Sequence, residues 1–211
     1  MQRRPVSPLP FQCVDDRYVL TRKLGEGVTG DVFAAQDAET KQDVALKIAK
    51  TNTYADFKRE FQTAQELQHQ GVLQVHSCNT RAKMLTDAGE KQRGSYIVSD
   101  LAEGGELFDH LRQKRRFSES ETKEFFRQVL DTVDHIHAKG YAHRDLKLEN
   151  LLLNKERNKL FVADFGHTEK CQCKDEEFKP RLGGTAMYLP PEYHTRKVRR
   201  VRVHSHRAST A

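Results

Sequence analysis

Eight consecutive residues, His143-Arg144-Asp145-Leu146-Lys147-Leu148-Glu149-Asn150, and the triplet Asp164-Phe165-Gly166 after them hold the densest chemical potential in this chain. Moving a phosphoryl group asks little covalent work of a protein. It needs a carboxylate near the acceptor hydroxyl, oxygen ligands for a Mg²⁺ that neutralises phosphate charge, and accurate positioning. Asp145 supplies the carboxylate, and Asn150 and Asp164 supply oxygen ligands of the kind Mg²⁺ takes. A charged loop following a helix would explain any one of these residues; chance does not readily explain this many, in this order.

Two further segments point the same way. Gly25-Glu26-Gly27-Val28-Thr29-Gly30-Asp31-Val32 is a G-x-G-x-x-G-x-V run, in which glycines let backbone N–H groups approach phosphates with no Cβ in the way. The run is weak on its own, because a dinucleotide-binding fingerprint shares its first six positions. That alternative requires a helix directly after the glycines, and a β-rich stretch follows here; a simple glycine-rich hairpin also stays open. Val44-Ala45-Leu46-Lys47 places a lysine in an apolar strand. It either faces solvent or, paired with an acid, holds phosphate oxygens.

The elements that must position these groups are readable from periodicity. From Tyr18 to about Lys50 the pattern is consecutive hairpin-type strand, with a turn at Asp37 to Lys41. A helix is predicted from about Thr53 to Gln68, with Phe57, Phe61, Ala64 and Leu67 on one face. Glu60 lies inside that apolar arc, and an inward carboxylate needs a cation, so Lys47 is its candidate partner. Strands are expected near Val72–Cys78 and Tyr96–Leu101, with a loop inside the polar stretch Asn79 to Gly94 between them. After Gly104-Gly105 the character turns helical. A short helix includes Leu107, Phe108 and Leu111. A long one opens at Ser118 with Glu121 as a capping box and stops at Lys139-Gly140; its apolar face is Phe125, Phe126, Val129, Val133 and Ile136. Leu151–Leu153 and Leu160–Val162 read as a small hairpin. Residues 1–17 read as a mobile leader.

Composition bounds the reading. The chain has 211 residues, 36% of them hydrophobic, 31% charged, with a formal net charge of +6. The six Lys/Arg of residues 193–211, unaccompanied by any acid, account for the whole of that charge, and residues 1–192 are neutral. The basic balance therefore belongs to the tail, and nucleic acid is not an expected partner of the domain. No apolar run is long enough to cross a membrane, and Met1 to Pro10 lack the apolar core of a secretory signal. Cys13, Cys78, Cys171 and Cys173 show no zinc-ligand spacing and read as ordinary thiols of a reducing compartment. A cytoplasmic location is expected, with the basic tail a candidate nuclear address.

Taken together, the motifs resemble those of the eukaryotic protein kinase superfamily over about Tyr18 to Glu192. The resemblance implies an α+β bilobal fold: a β-rich N-lobe over about 18–101 with one helix, αC, and a helical C-lobe over about 102–192. It implies ATP and Mg²⁺ as cofactors and a protein as substrate. Residue by residue, Gly25, Gly27 and Gly30 would cover the ATP phosphates. Lys47 would hold the α/β-phosphates and pair with Glu60, with Glu66 the alternative acid. Asp145 would be the catalytic base, and Asn150 and Asp164 the metal ligands. Glu106 would contact the ribose, Val32, Ala45 and Leu152 would sandwich the adenine, and Ser99 would stand beside the adenine pocket. Lys147 resembles the Ser/Thr-kinase version of the catalytic loop, and Gly184-Thr185 before Pro190-Pro191-Glu192 fits the same class. The runs GGELFDHL and HRDLKLENLLL are most similar to the calcium/calmodulin-dependent and AMP-activated kinase-like groups.

The sequence also departs from that family. Ser99 is smaller than the usual residue at its position, which should open space behind the adenine. Ala64 is small where αC usually carries a larger apolar residue. Between Asp164 and Glu192 the only hydroxyls are Thr168, Thr185 and Tyr188, and no Ser or Thr occupies the usual activating position near Arg181-Leu182, where a phosphate would meet Arg144. Asp175, Glu176 and Glu177 are candidate carboxylate substitutes, or a solvated loop. Past Glu192 the chain has no acid, and it has no Trp at all, so the family pattern is expected to stop there and residues 193–211 to be a non-family tail. An incomplete C-lobe would leave the long helix's apolar face uncovered. A truncated isoform or a shifted reading frame would explain the tail. Three functions compete: a protein Ser/Thr kinase; a nucleotide- or partner-binding module derived from one, which binds an intact kinase relative or a regulatory protein; and a small-molecule kinase on a related fold.

Overall fold

The computed structural model describes residues 9–50, 54–86, 88–170 and 184–189. It divides into two compact units, residues 1–61 with 74–101 and residues 62–73 with 102–211. No described helix is long and apolar enough to cross a membrane.

In the first unit, β1 (Cys13–Val14), β2 (Tyr18–Glu26), β3 (Gly30–Asp37), β4 (Asp43–Ala49), β5 (Val75–Leu85) and β6 (Lys91–Asp100) close into an antiparallel barrel in the order β1-β2-β3-β4-β6-β5. The helix α1 (Tyr54–Glu66) follows β4. Residues directly opposite in an antiparallel pair share a face, so the register sorts the strands into two sets. Phe33 opposes Leu46, which opposes Val98; Ile48 opposes Tyr96. These residues, with Val14, Tyr18, Leu20, Ala82 and Met84, are buried together and fill the barrel. Val32 opposes Lys47, which opposes Ile97; Ala45 opposes Ser99. That second face carries the candidate site.

One expectation fails here and a second is incomplete. Residues 13–14, read as part of a mobile leader, are the strand that closes the barrel, pairing with both β2 and β5. Val14 is fully buried. Asp15, in the left-handed region at φ 52, accepts from the backbone N–H of Lys83, the Asn79 amide and the Tyr96 hydroxyl, which pins this segment to β5 and β6. The polar stretch 79–94 does contain the expected loop, between β5 and β6, but most of it is hairpin strand. Only Ala82, Met84 and Gly94 mark its inward side, and its charged residues are the outward half of an alternating pattern that a polarity count mistakes for a loop.

In the second unit, β7 (Gly105–Glu106) leads into α2 (Leu107–Lys114) and then α3 (Glu119–Ala138). The remaining strands are β8 (Tyr141–Ala142), β9 (Leu151–Leu153), β10 (Leu160–Val162) and β11 (Glu169–Lys170). They form a three-stranded sheet, β10-β9-β7, and a two-stranded one, β11-β8. The capping box is formed as the sequence implies: the Ser118 hydroxyl accepts from the Glu121 N–H, and the Glu121 carboxylate accepts from the Ser118 N–H. The buried edge of α3 is Phe125, Thr132 and Ile136, whereas Phe126 and Leu130 are 61% and 52% exposed. Phe126, which its spacing places on the apolar face, is exposed, in line with the expectation that this face lacks cover. Cys171, Cys173, Asp175, Glu176, Glu177 and the segment 193–211 lie outside the described residues.

Candidate active site

The first unit presents Gly25, Gly27, Gly30, Val32, Ala45, Lys47, Glu60 and Ser99. The turn between β2 and β3 is closed by the Gly27 N–H donating to the Gly30 carbonyl at 2.9 Å. It projects Val28 into solvent at 97% exposure. Gly30 is required by close packing: a Cβ there would sit 2.6 Å from the Ile48 carbonyl oxygen. The base of the turn carries a ring of charges: Lys23 pairs with Glu26 and Asp31, and Lys50 pairs with the same two acids, at 2.7–3.2 Å.

Lys47 leaves β4 on the same face as Val32, Ala45 and Ser99. Its ammonium donates to both Glu60 oxygens, at 2.8 and 2.9 Å. Both side chains are largely buried, 15% and 11% exposed, and the Lys47 ammonium also stands 5.8 Å from the centre of the Phe57 ring. Between the two candidate acids the geometry chooses Glu60. Glu66 instead accepts from the Tyr141 hydroxyl at 2.5 Å and from Lys170 at 3.2 Å. Residue spacing carries no sign of that second pairing, because it joins residues 75 and 104 positions apart.

The second unit presents Glu106, Asp145, Lys147, Asn150, Leu152 and Asp164. Asp145 is 5% exposed and its carboxylate is held from several sides. One oxygen accepts from the Thr185 N–H and hydroxyl, both at 2.8 Å. The other accepts from Lys147 at 2.9 Å and from the Asn150 amide at 3.0 Å. Burial works to raise its pKa, but the Lys147 and Thr185 hydrogen bonds prevail and hold it below the usual aspartate value. The residue therefore stays ionised and accepting. Lys147 also donates to the Thr185 hydroxyl at 2.7 Å, so the three side chains form a closed triangle. The Asn150 amide N–H₂ donates to both the backbone and the side chain of Asp145, which orients its carbonyl oxygen away as an acceptor.

Behind the loop, His143 is 3% exposed, and burial lowers its pKa. A neutral ring satisfies both nitrogens: Nε2–H donates to the Ala163 carbonyl at 3.1 Å, and Nδ1 accepts from the Asp145 N–H. The ring meets Phe165 edge-on. Asp164 adopts a left-handed φ of 62 and accepts from the Gly166 N–H. Gly184, at φ 99, passes so close to the loop that a Cβ would lie 2.7 Å from the Arg144 carbonyl oxygen. Glu106 opposes Leu152 across β7 and β9. Burial, with Asp109 and Glu149 nearby, pushes the Glu106 carboxyl upward.

Among the described residues no cluster of three or more His, Cys, Asp or Glu gathers as a metal site. One carboxylate and one amide carbonyl suit Mg²⁺, which keeps several of its waters and takes few protein ligands. Asp164 and Asn150 fit that requirement by donor chemistry.

The protein kinase domain family matches residues 18–204. The chain is 37% identical over 176 residues to "CBL-interacting serine/threonine-protein kinase 8" of Arabidopsis thaliana, a match covering 83% of this chain and 38% of that one. It is 36% identical over 183 residues to "CBL-interacting protein kinase 32" of Oryza sativa subsp. japonica, covering 83% and 39%. With its β-rich first unit and the site just described, this chain belongs to the eukaryotic protein kinase family, of the serine/threonine type. It spans about two fifths of the length of these curated relatives.

The sequence reading missed Glu169, whose carboxylate reaches Arg144 at 2.7 Å. The available signal was an acid placed just after Asp164-Phe165-Gly166-His167-Thr168, but its partner is fixed only by the pairing of β11 with β8.

Proposed function

We propose that the chain is an ATP-dependent protein kinase that phosphorylates serine or threonine hydroxyls. The observation that carries this reading is the Asp145–Lys147–Thr185 triangle with Asn150 behind it. A buried carboxylate kept ionised and aimed by four donors is suited to accept the proton of an incoming hydroxyl. Lys147 adds positive charge where charge develops on the transferring group. Lys47, fixed by Glu60 at both oxygens, and the glycine turn are the phosphate-holding parts. Mg²⁺ held by Asn150 and Asp164 would supply neutralisation of the phosphate oxygens. Ser99 in place of a bulky side chain leaves room for large adenine-competitive ligands.

The test is transfer of labelled γ-phosphate from ATP to a Ser/Thr peptide library, with tyrosine peptides as control. The parent should label serine or threonine peptides. Asp145→Asn should lose about 10²–10⁴-fold in kcat, the range for removing a general base. Equal rates in parent and variant would reject the reading.

A second reading, a binding module, is favoured by the exposure of Phe126 and Leu130 one turn apart on α3. It predicts nucleotide or partner binding with no turnover. A regulatory protein partner of the kind the relatives' names record is part of the proposal, and so is residence in the cytoplasm or, through the basic tail, the nucleus. Fractionation of a tagged chain with and without residues 193–211 tests the location.

A further inference from the structure

The pair Arg144–Glu169 joins the catalytic loop to the segment that follows Asp164, and nothing in the phosphotransfer scheme above uses it. The two side chains are 11% and 21% exposed, with Nη1 to Oε1 at 2.7 Å. A guanidinium cannot shed its charge by losing a proton, so one this buried must be met by a counter-charge or push its loop outward. Arg144 also sits at φ 69, a left-handed conformation that a non-glycine residue keeps only where its surroundings over-determine it. Those surroundings are named on either side: His143 bonded to Ala163, Asp145 held by Thr185, and Gly184 pressed against the Arg144 carbonyl. Glu169 adds a charged restraint to these. Its delivery is a matter of register, because Glu169 opposes Ala142 in the β11–β8 pair, and Ala142 is two residues before Arg144.

The two threonine hydroxyls of the same segment already have partners. Thr168 is 5% exposed, and its hydroxyl lies a long 3.5 Å from the His143 carbonyl. The Thr185 hydroxyl donates to Asp145 and accepts from Lys147. Tyr188 is 45% exposed. A phosphoryl group on either threonine would have to break contacts that hold the loop.

We propose that Glu169 is a positioning residue: a built-in counter-charge for Arg144 that sets the loop carrying Asp145, so that this loop is ordered with no phosphoryl group on the segment 164–192. Asp175, Glu176 and Glu177, the other candidate carboxylates, lie outside the described residues. The inference rests on the kinase reading for its consequence, not for its geometry.

The test uses the full chain with Glu169→Gln, which removes the charge at constant shape, and Glu169→Asp, which keeps it on a shorter stem. Amide hydrogen exchange of residues 143–150, read against α3 as an internal control, needs no turnover. Glu169→Gln should exchange this loop about tenfold faster with α3 unchanged, and Glu169→Asp should fall between it and the parent. In the labelled-phosphate assay, Glu169→Gln should lower kcat about tenfold with the KM for ATP within about twofold, the pattern of a lost positioning contact. Phosphatase treatment should leave the parent's kcat unchanged. Unchanged exchange in Glu169→Gln would overturn the proposal, as would α3 losing protection together with the loop in both variants, or turnover that phosphatase abolishes. A parent that transfers no phosphate while its loop responds as described would reject the kinase reading and leave the positioning role standing.

Discussion

Lys47 and Glu60 show what a buried pair can and cannot be asked to do. Replacing Lys47 by Met leaves Glu60 without its cation on the inward side of α1, a loss of about 3–5 kcal/mol when a buried pair is broken from one side. Lys47→Met/Glu60→Leu removes both charges and should recover most of the stability, though no nucleotide function; urea melts of the single and double variants check this. At Asp145 the prediction concerns pH. Its pKa is held down by Lys147 and Thr185 against the opposing effect of burial. A depressed carboxylate contributes stability that is present above its unfolded value and lost as pH falls through the folded one. Lys147→Met leaves burial less opposed, so the acid limb of the kcat/KM profile should move to higher pH. A limb that stays in place would show that Lys147 does not set the Asp145 ionisation. At Ser99 the expected effect is selectivity: Ser99→Phe should weaken bulky adenine-competitive inhibitors by about tenfold or more while the KM for ATP changes little. Inhibition of both forms at equal concentration would contradict an open space behind the adenine.

Elements differ in how visibly the sequence announces them. The start of α3 is written locally: Ser118 and Glu121 are three residues apart and cap one another reciprocally. Ser118→Ala should therefore cost about 1 kcal/mol in the same urea melts. The Glu121 carboxyl, held by Lys114 and the Ser118 N–H, is lowered to about 2, so its share of helix stability should persist above its ordinary value and fade as pH approaches 2. The α1 face was legible for the same reason: of the residues at helical spacing, Phe57, Glu60, Ala64 and Leu67 are buried and Phe61 is half-buried. What escaped is non-local. β1 is two residues long and has meaning only through partners in β2 and β5. The 79–94 hairpin hides its inward residues among polar outward ones. The pairings Arg144–Glu169 and Glu66–Tyr141 depend on strand register between distant segments, and residue spacing carries no trace of them. The candidate site residues stood out because the proposed phosphoryl transfer demands particular types in a fixed order; the groups that brace them did not, because many residue types serve to brace.

At the scale of the whole chain, every residue assigned to phosphate, metal or proton handling is held by partners within its own unit. Lys47 is set by Glu60 in the first unit, and Asp145 by Lys147, Asn150 and Thr185 in the second. The proposed function has both units prepared for Mg²⁺-ATP. Its most direct test is thermal melting of the purified chain over a series of Mg²⁺-ATP concentrations, beside Asp164→Ala. A ligand that binds only the folded state raises the melting temperature with its concentration. The account predicts one cooperative transition that climbs with Mg²⁺-ATP in the parent and much less in Asp164→Ala. A parent that melts without cooperativity, or at the same temperature at every nucleotide concentration, would contradict it.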